Sequence, residues 1–188
     1  MQTSQQSSAR VGRQVELSDQ RVVDIRPLER RDREGLADAI GRLSPQTRYL
    51  RFANAKPHMS SRELDFLVDV GRREHRALLA VDPATGWGVA VVRYVQLQTE
   101  PAVVEIAATV SDDWQGLGLG TAMVVQLIEQ ARDDGFSALR ASVLASNKRS
   151  IAMLLHTGFA PLPSRGTLRE YELPLQPRRR NTLNGYPA

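Results

Sequence analysis

At 188 residues the chain has room for one domain, and a hydrophobic fraction of 41% suits a globular core. No run approaches the eighteen apolar residues of a membrane span, the polar start MQTSQQSSARVGRQ lacks a secretory signal's apolar stretch, and the absence of cysteine removes thiolate and disulfide chemistry while fitting a reducing cytoplasm. The net charge of +4 is concentrated in Arg178, Arg179 and Arg180, leaving +1 for residues 21–173 and no support for a nucleic-acid footprint there.

Residues 1–20 are rich in Ser and Gln, and residues 174–188 mix prolines with arginines and Asn-Gly. Both read as disordered tails around a single fold over 21–173. RVVDIRPL, from Arg21, reads as a strand, and Leu36, Ala37, Ile40 and Leu43 then fall at helical spacing. Ser44 as N-cap with Pro45 behind it opens a second helix, and a Ser60/Glu63 capping box opens a third ahead of LDFLVDV. RALLAVD and WGVAVVRYVQL are strands joined by the turn DPATG. AVVEIAATV is almost continuously apolar, as expected of a strand covered on both faces. DWQGLGLGT follows and opens a helix whose inner face is Val124, Leu127, Ile128 and Ala131, with Gly135 ending it. The strand ALRASVL, the helix NKRSIAMLLHTG and the strand TLREYEL complete the order βααα-ββ-βα-βα-β. That order predicts an α/β fold with a mixed sheet and parallel pairing across each βα crossover.

Gly116, Gly118 and Gly120 alternate through the loop, and three glycines so close cost conformational entropy on folding. They lie between a buried strand and a helix start, where free N–H groups and the helix dipole favour an anion. The physical reading is a pyrophosphate cradle at 115–121, bordered by the strand end at 108–110. On the glycines alone, a tight turn without a ligand would look the same. A P-loop would need Gly-Lys-Ser/Thr, whereas Thr121 follows Gly120, and a dinucleotide fingerprint would need glycine at Met123. His58, His75 and His156 show no ligand spacing, so no metal is expected.

QGLGLG at 115–120 resembles the Gln/Arg-x-x-Gly-x-Gly/Ala signature of the GNAT N-acetyltransferase superfamily, and Asn147 followed by Gly158-Phe159 resembles that family's next block. The element order over 22–173 is similar to the family fold. The resemblance implies a mostly antiparallel central sheet with a splayed parallel strand pair and helices on both faces. It implies acetyl-CoA as cosubstrate, held by Ala108, Thr109, Val110, Gln115, Gly116, Leu117, Gly118, Leu119, Gly120, Thr121 and Asn147. LSPQTRYLRF, RALLAVD, VRYV and VVEIAATVSDDWQGLGLG look like the acetyltransferase domain of bacterial protein-lysine acetyltransferases. With no room for the cyclic-nucleotide-binding or acyl-CoA-synthetase-like domain that some of those carry, a stand-alone cytoplasmic catalytic domain is implied, monomeric or homodimeric. Its acceptor would be a protein lysine, with a small amine or antibiotic as the alternative.

A lysine-type amine, with a pKa of about 10.4, is neutral at pH 7 only at a cost of about 4.6 kcal/mol. A general base or a desolvated pocket must supply it. Glu105 is the only charged residue between Pro101 and Asp112. On position alone it could equally be an outward carboxylate or the partner of an arginine; the protein-lysine acetyltransferases resembled here place a catalytic glutamate at this position. Many GNAT enzymes carry a tyrosine seven residues after the motif asparagine, as general acid for the departing thiolate. Leu154 stands there and cannot donate, which leaves His156 and Tyr94 as substitutes and the acid unassigned. Arg48, Tyr49, Arg51 and Phe52 lie where GNAT enzymes form part of the acceptor site, or equally form a helix with one buried aromatic face. A non-catalytic acyl-CoA sensor would keep the same glycines; Glu105 favours an enzyme.

Overall fold

The computed structural model describes residues 12–52 and 59–176. The apolar alternations become strands β1 (Arg13–Glu16), β2 (Val22–Pro27), β3 (His75–Val81), β4 (Gly88–Gln96), β5 (Val103–Val110), β6 (Ala138–Leu144), β7 (Ala160–Pro161) and β8 (Leu168–Pro174). The helical periods become α1 (Arg33–Arg42), α2 (Pro45–Phe52), α3 (Ser61–Val68), α4 (Leu119–Asp133) and α5 (Lys148–His156). One mixed sheet runs in the order β1-β2-β3-β4-β5-β6-β8-β7, and only β5 and β6 pair in parallel.

Helices cover both faces because strand side chains alternate between them. On one face Met123, Val124, Leu127 and Ala131 of α4 are fully buried against Val92, Tyr94 and Val104. On the other, Leu36 and Ile40 of α1 and Leu64 and Leu67 of α3 cluster with Leu28, Ala77 and Leu79. Each such side chain contributes roughly 1.5–3 kcal/mol by leaving water. Local signals agree: the Ser44 hydroxyl accepts from the Thr47 N–H at 3.1 Å, and both halves of the Ser60/Glu63 box form.

Gly158-Phe159 has a packing explanation. Gly158 takes φ 94° after α5, the Phe159 N–H returns to the Leu154 carbonyl at 3.0 Å, and the Phe159 ring is buried. Only glycine adopts that conformation cheaply, and the turn it makes sends the ring into the core.

Three expectations are corrected. Parallel pairing does not hold across the second crossover, since β6 and β8 are antiparallel. The helix α5 does deliver a strand running with β6, namely β7, but its hairpin partner β8 inserts between them. Residues 12–20 are not a tail either: β1 pairs with β2 over Arg13–Glu16, and Leu17 is 5% exposed. At the other end Leu175, placed in the tail by its prolines, is buried. Residues 1–11 and 177–188, with the three tail arginines, lie outside the described residues, as does His58.

Candidate active site

The site originates in an incomplete strand pair. β5 and β6 pair only where Val103–Glu105 meets Ala138–Arg140, and both strands continue beyond that point without bonding each other. The resulting V opens at the carboxyl ends of two parallel strands, where open α/β sheets place their ligands. A cleft of about 690 Å³ fills it, walled by β5 from Ile106 to Val110, β6 from Ala141 to Val143, the starts of α4 and α5, and α2. That volume lies within the range of small-molecule sites.

The glycine loop forms the outer end of the cleft. Gly116 and Gly118 have φ 80° and 87°, in the left-handed region, so the loop turns where other residues would be strained. Gly120 has a different reason: a Cβ there would stand 3.3 Å from Met153 Sδ and 3.5 Å from a Val110 methyl, so a side chain would crowd Met153 and require it to shift. The first intrahelical bond of α4 runs from the Ala122 N–H to the Gly118 carbonyl at 3.0 Å. The N–H groups of Leu119, Gly120 and Thr121 therefore precede the ladder and stay free to donate. Lys148 and Arg149 also line the cleft, beside Asn147. A pyrophosphate-bearing ligand fits donors, cations and volume of this kind.

Polar bonds hold the loop in place. The Gln115 amide donates to the Val110 carbonyl at 2.9 Å and to Thr47 Oγ1 at 3.1 Å, and its oxygen accepts from Arg149. Asp112 accepts from the Ser44 N–H (2.9 Å), the Ser44 hydroxyl (2.7 Å) and the Thr47 hydroxyl (2.6 Å), clamping α2 to the loop. Burial opposes its ionisation, but these hydrogen bonds hold its carboxyl below the usual range. From the outside Arg21 lies 4.1 Å over the Trp114 ring and donates to the Asp113 carbonyl at 2.9 Å. Asn147 caps α5, its Oδ1 accepting from the Ser150 N–H at 3.1 Å.

Glu105 stands at the throat, in the last paired position before the strands part. It is exposed, and its Oε1 accepts from the Ser142 hydroxyl of β6 at 3.2 Å, across the opening. Glu105, Ala107 and Thr109 share the strand face turned toward α2, where Arg51 Nε donates to Thr109 Oγ1 at 3.0 Å. Burial pushes the Arg51 guanidinium down, and the charge of Glu105 pulls it back. The β4–β5 register sets Arg93 opposite Ala107 on the same face.

Among the predicted contacts, Ala108, Thr109, Val110, Gln115, Gly116, Gly118, Gly120, Thr121 and Asn147 line the cleft together. Leu117 and Leu119 do not, and Leu119 is fully buried. Leu154 is 3% exposed in the core yet borders the cleft, and His156 is an exposed residue on its rim. Tyr94 is unfit as an acid: its hydroxyl donates to Asp134 at the far end of α4, and burial followed by that carboxylate pushes its pKa well up. Of the α2 cluster Arg51 enters the cleft, Tyr49 is exposed and Arg48 reaches back to the Gly41 carbonyl. Asp112, Ser142 and Arg149 gave no sequence signal. Arg93 did: it is a charge inside the apolar run VAVVRYV.

Residues 23–160 match the acetyltransferase (GNAT) domain model. An acetyltransferase of Pseudomonas aeruginosa, PA5475, is 36% identical over 145 residues, covering 76% of this chain and 77% of that one. The GNAT domain of S. lividans PAT superposes with a TM-score of 0.82 at 25% identity, over 87% of this chain and 97% of that one. A putative acetyltransferase of Salmonella typhimurium, solved with acetyl-CoA, shares the fold (TM-score 0.68, 19% identity, 82% and 94% covered). With the splayed strands, the glycine loop and these matches agreeing, the chain belongs to the GNAT acetyltransferase family.

Proposed function

We propose that the protein moves the acetyl group of acetyl-CoA to a primary amine by direct attack within a ternary complex, with a protein lysine as the favoured acceptor. The observation carrying this reading is the coincidence of three features on one strand pair: the V-shaped cleft, the donors at its outer end and a carboxylate at its throat. Acetyl-CoA would lie along β5 with its pyrophosphate at the start of α4. The amine would approach from the α2 side, where Arg51 and Thr109 face Glu105. Its nitrogen attacks the thioester carbonyl, its proton passes to the Glu105 carboxylate, and the carbon–sulfur bond breaks to release the thiolate. Ser142, donating to Glu105, fixes the carboxylate's orientation. The lysine acceptor is supported by the likeness of VVEIAATVSDDWQGLGLG to protein-lysine acetyltransferases.

The test is to incubate the protein with labelled acetyl-CoA and a cell lysate. Label entering proteins at lysine supports this acceptor, and label entering only small molecules replaces it with a small amine. Tight acetyl-CoA binding without transfer to anything would make the protein an acyl-CoA sensor.

A further inference from the structure

Beside the cleft lies a second cavity of about 170 Å³, which shares Arg51, Ala107 and Thr109 with it. Its walls are mainly apolar, including Leu67, Leu79 and Val91, but four arginines and one carboxylate also line it. Arg26, Arg31 and Asp32 form one group, in which Arg26 holds Asp32 at 2.6 and 2.8 Å; Arg51 from α2 and Arg93 from β4 are not bonded to that carboxylate. Arg93 is 5% exposed. Among the described residues its guanidinium donates to the Leu67 carbonyl at 3.2 Å and to His75 Nε2 at 3.3 Å, and no carboxylate pairs with it. An arginine carries five N–H donors and never gives up its charge, so His75 must be the neutral acceptor here and most of the fork is left for another partner. The strongest charge acting on Arg93 is Arg51, which is repulsive. Burying a cation without a counter-charge is costly, and it is retained where something else supplies the anion.

We infer that Arg93 and Arg51 form an anion subsite for the acceptor, so that the preferred amine carries a carboxylate-type group a short reach from the nitrogen that is acetylated. This rests on the acetyl-transfer reading and sharpens its substrate class. The placement is consistent: Glu105, Ala107 and Thr109 line up on one strand face, and Arg93 lies opposite Ala107, so an anion on Arg93 leaves its amine pointing along β5 toward Glu105. The volume admits a group of a few heavy atoms and not a peptide segment. The charge of Glu105 acts favourably on Arg51, and an incoming anion would do the same for Arg93. The anion can belong to an amino acid or to an acidic side chain next to a lysine.

Two sets of acceptors separate these sources: L-amino acids against their carboxamides, and lysine peptides with aspartate against asparagine beside the lysine. Wild type should favour the acid of the relevant pair by about tenfold or more in kcat/KM, as expected of a charge-assisted hydrogen bond. In Arg93→Gln the acid-to-amide ratio should fall toward one, and Arg93→Lys should recover part of it. Equal rates on acid and amide in the wild type overturn the inference and need no folded variant. A titration at matched ionic strength reads the subsite without chemistry: succinate should raise the melting temperature of wild type but not of Arg93→Gln, and succinamide should raise neither. Equal effects of the two overturn the subsite even if transfer occurs. Succinate binding through Arg93 in a protein that acetylates nothing overturns the transfer reading alone.

Discussion

Replacing Gly118 by alanine isolates the cradle. Gly118 is the N-cap of α4 at φ 87°, and a Cβ added there meets nothing within 4 Å. The folded protein therefore bears backbone strain and no collision, about 1–2 kcal/mol for a non-glycine residue in the left-handed region. In a chain of this size that lowers the melting temperature by about 2–8 °C. Gly166→Ala supplies the control, because Gly166 has φ 77° and equally open surroundings but lies outside the cleft. It should cost the same stability and leave acetyl-CoA affinity untouched. At Gly118, which lines the cleft, the open space a methyl would fill is space that a pyrophosphate held at the start of α4 would need. Losing one charge-assisted bond there removes about 1.5–3 kcal/mol, a rise in Kd of roughly 10–100-fold. Alanine is preferable to valine, whose β-branch at positive φ would add strain of its own. Titration calorimetry with acetyl-CoA, beside thermal melts of both variants, reads the two effects separately. A Gly118→Ala protein that melts like Gly166→Ala and binds acetyl-CoA within twofold of wild type would refute the cradle.

Glu105→Gln should lower kcat at pH 7 by about 10²–10⁴-fold with acetyl-CoA affinity intact, and the loss should shrink at high pH as free amine becomes abundant; near-full turnover at pH 7 would remove Glu105 as the base. His75, 5% exposed, is pushed down to about 4 by burial and then by Arg93, with Asp69 opposing and Arg72 assisting. The unfolded chain then binds the extra proton, so stability is full above pH 6.5 and falls as pH drops toward 4, by about 2 kcal/mol between pH 6.5 and 5; denaturant melts should show this loss diminished in His75→Gln. Leu17→Ala should cost about 2–4 kcal/mol in a chemical melt, whereas a loss below about 0.5 kcal/mol would return residues 12–20 to the status of a tail.

The helix α4 was legible because its inner residues recur at the right period and are all buried, and the α2 and α3 starts because capping chemistry is local in sequence. Strand β1 was not. Four residues with one half-buried valine carry too little alternation, and its value lies in what it meets, since Ser18 and Arg21 reach the glycine loop 92 or more residues away. The antiparallel β6–β8 pair escaped for a similar reason, because β7 is two residues long and ends in proline, too short for any period. In the site, the glycine loop and Glu105 could be picked out as residues. Their company could not: Ser142 meets Glu105 only because the ladder stops at that position, and Arg93 joins them only through the β4–β5 register. Distances along the chain do not encode a register.

If the acceptor is a primary amine as proposed, the uneven distribution of polar groups around the throat matches the energetics of the two ends of the reaction. At pH 7 an amine of pKa about 10.4 needs about 4.6 kcal/mol to become nucleophilic, while a thiol of pKa about 8.5 leaves as the thiolate at a disadvantage of only about 2 kcal/mol. A chain that retains help at one end loses less by keeping it at the amine. On the proposed reading Glu105 would be that help, with Ser142 donating to its carboxylate and its charge acting on Arg51. At the other end Leu154 is buried at the cleft's border and cannot donate, and among the described residues no tyrosine lines the cleft. Unpaired, Arg93 would act in the same direction, since positive charge near a bound amine disfavours its protonated form. An acceptor anchored by its own anion on Arg93 would cancel that arginine's share of the bias, so the neutral amine would then have to come from desolvation of the nitrogen and from Glu105.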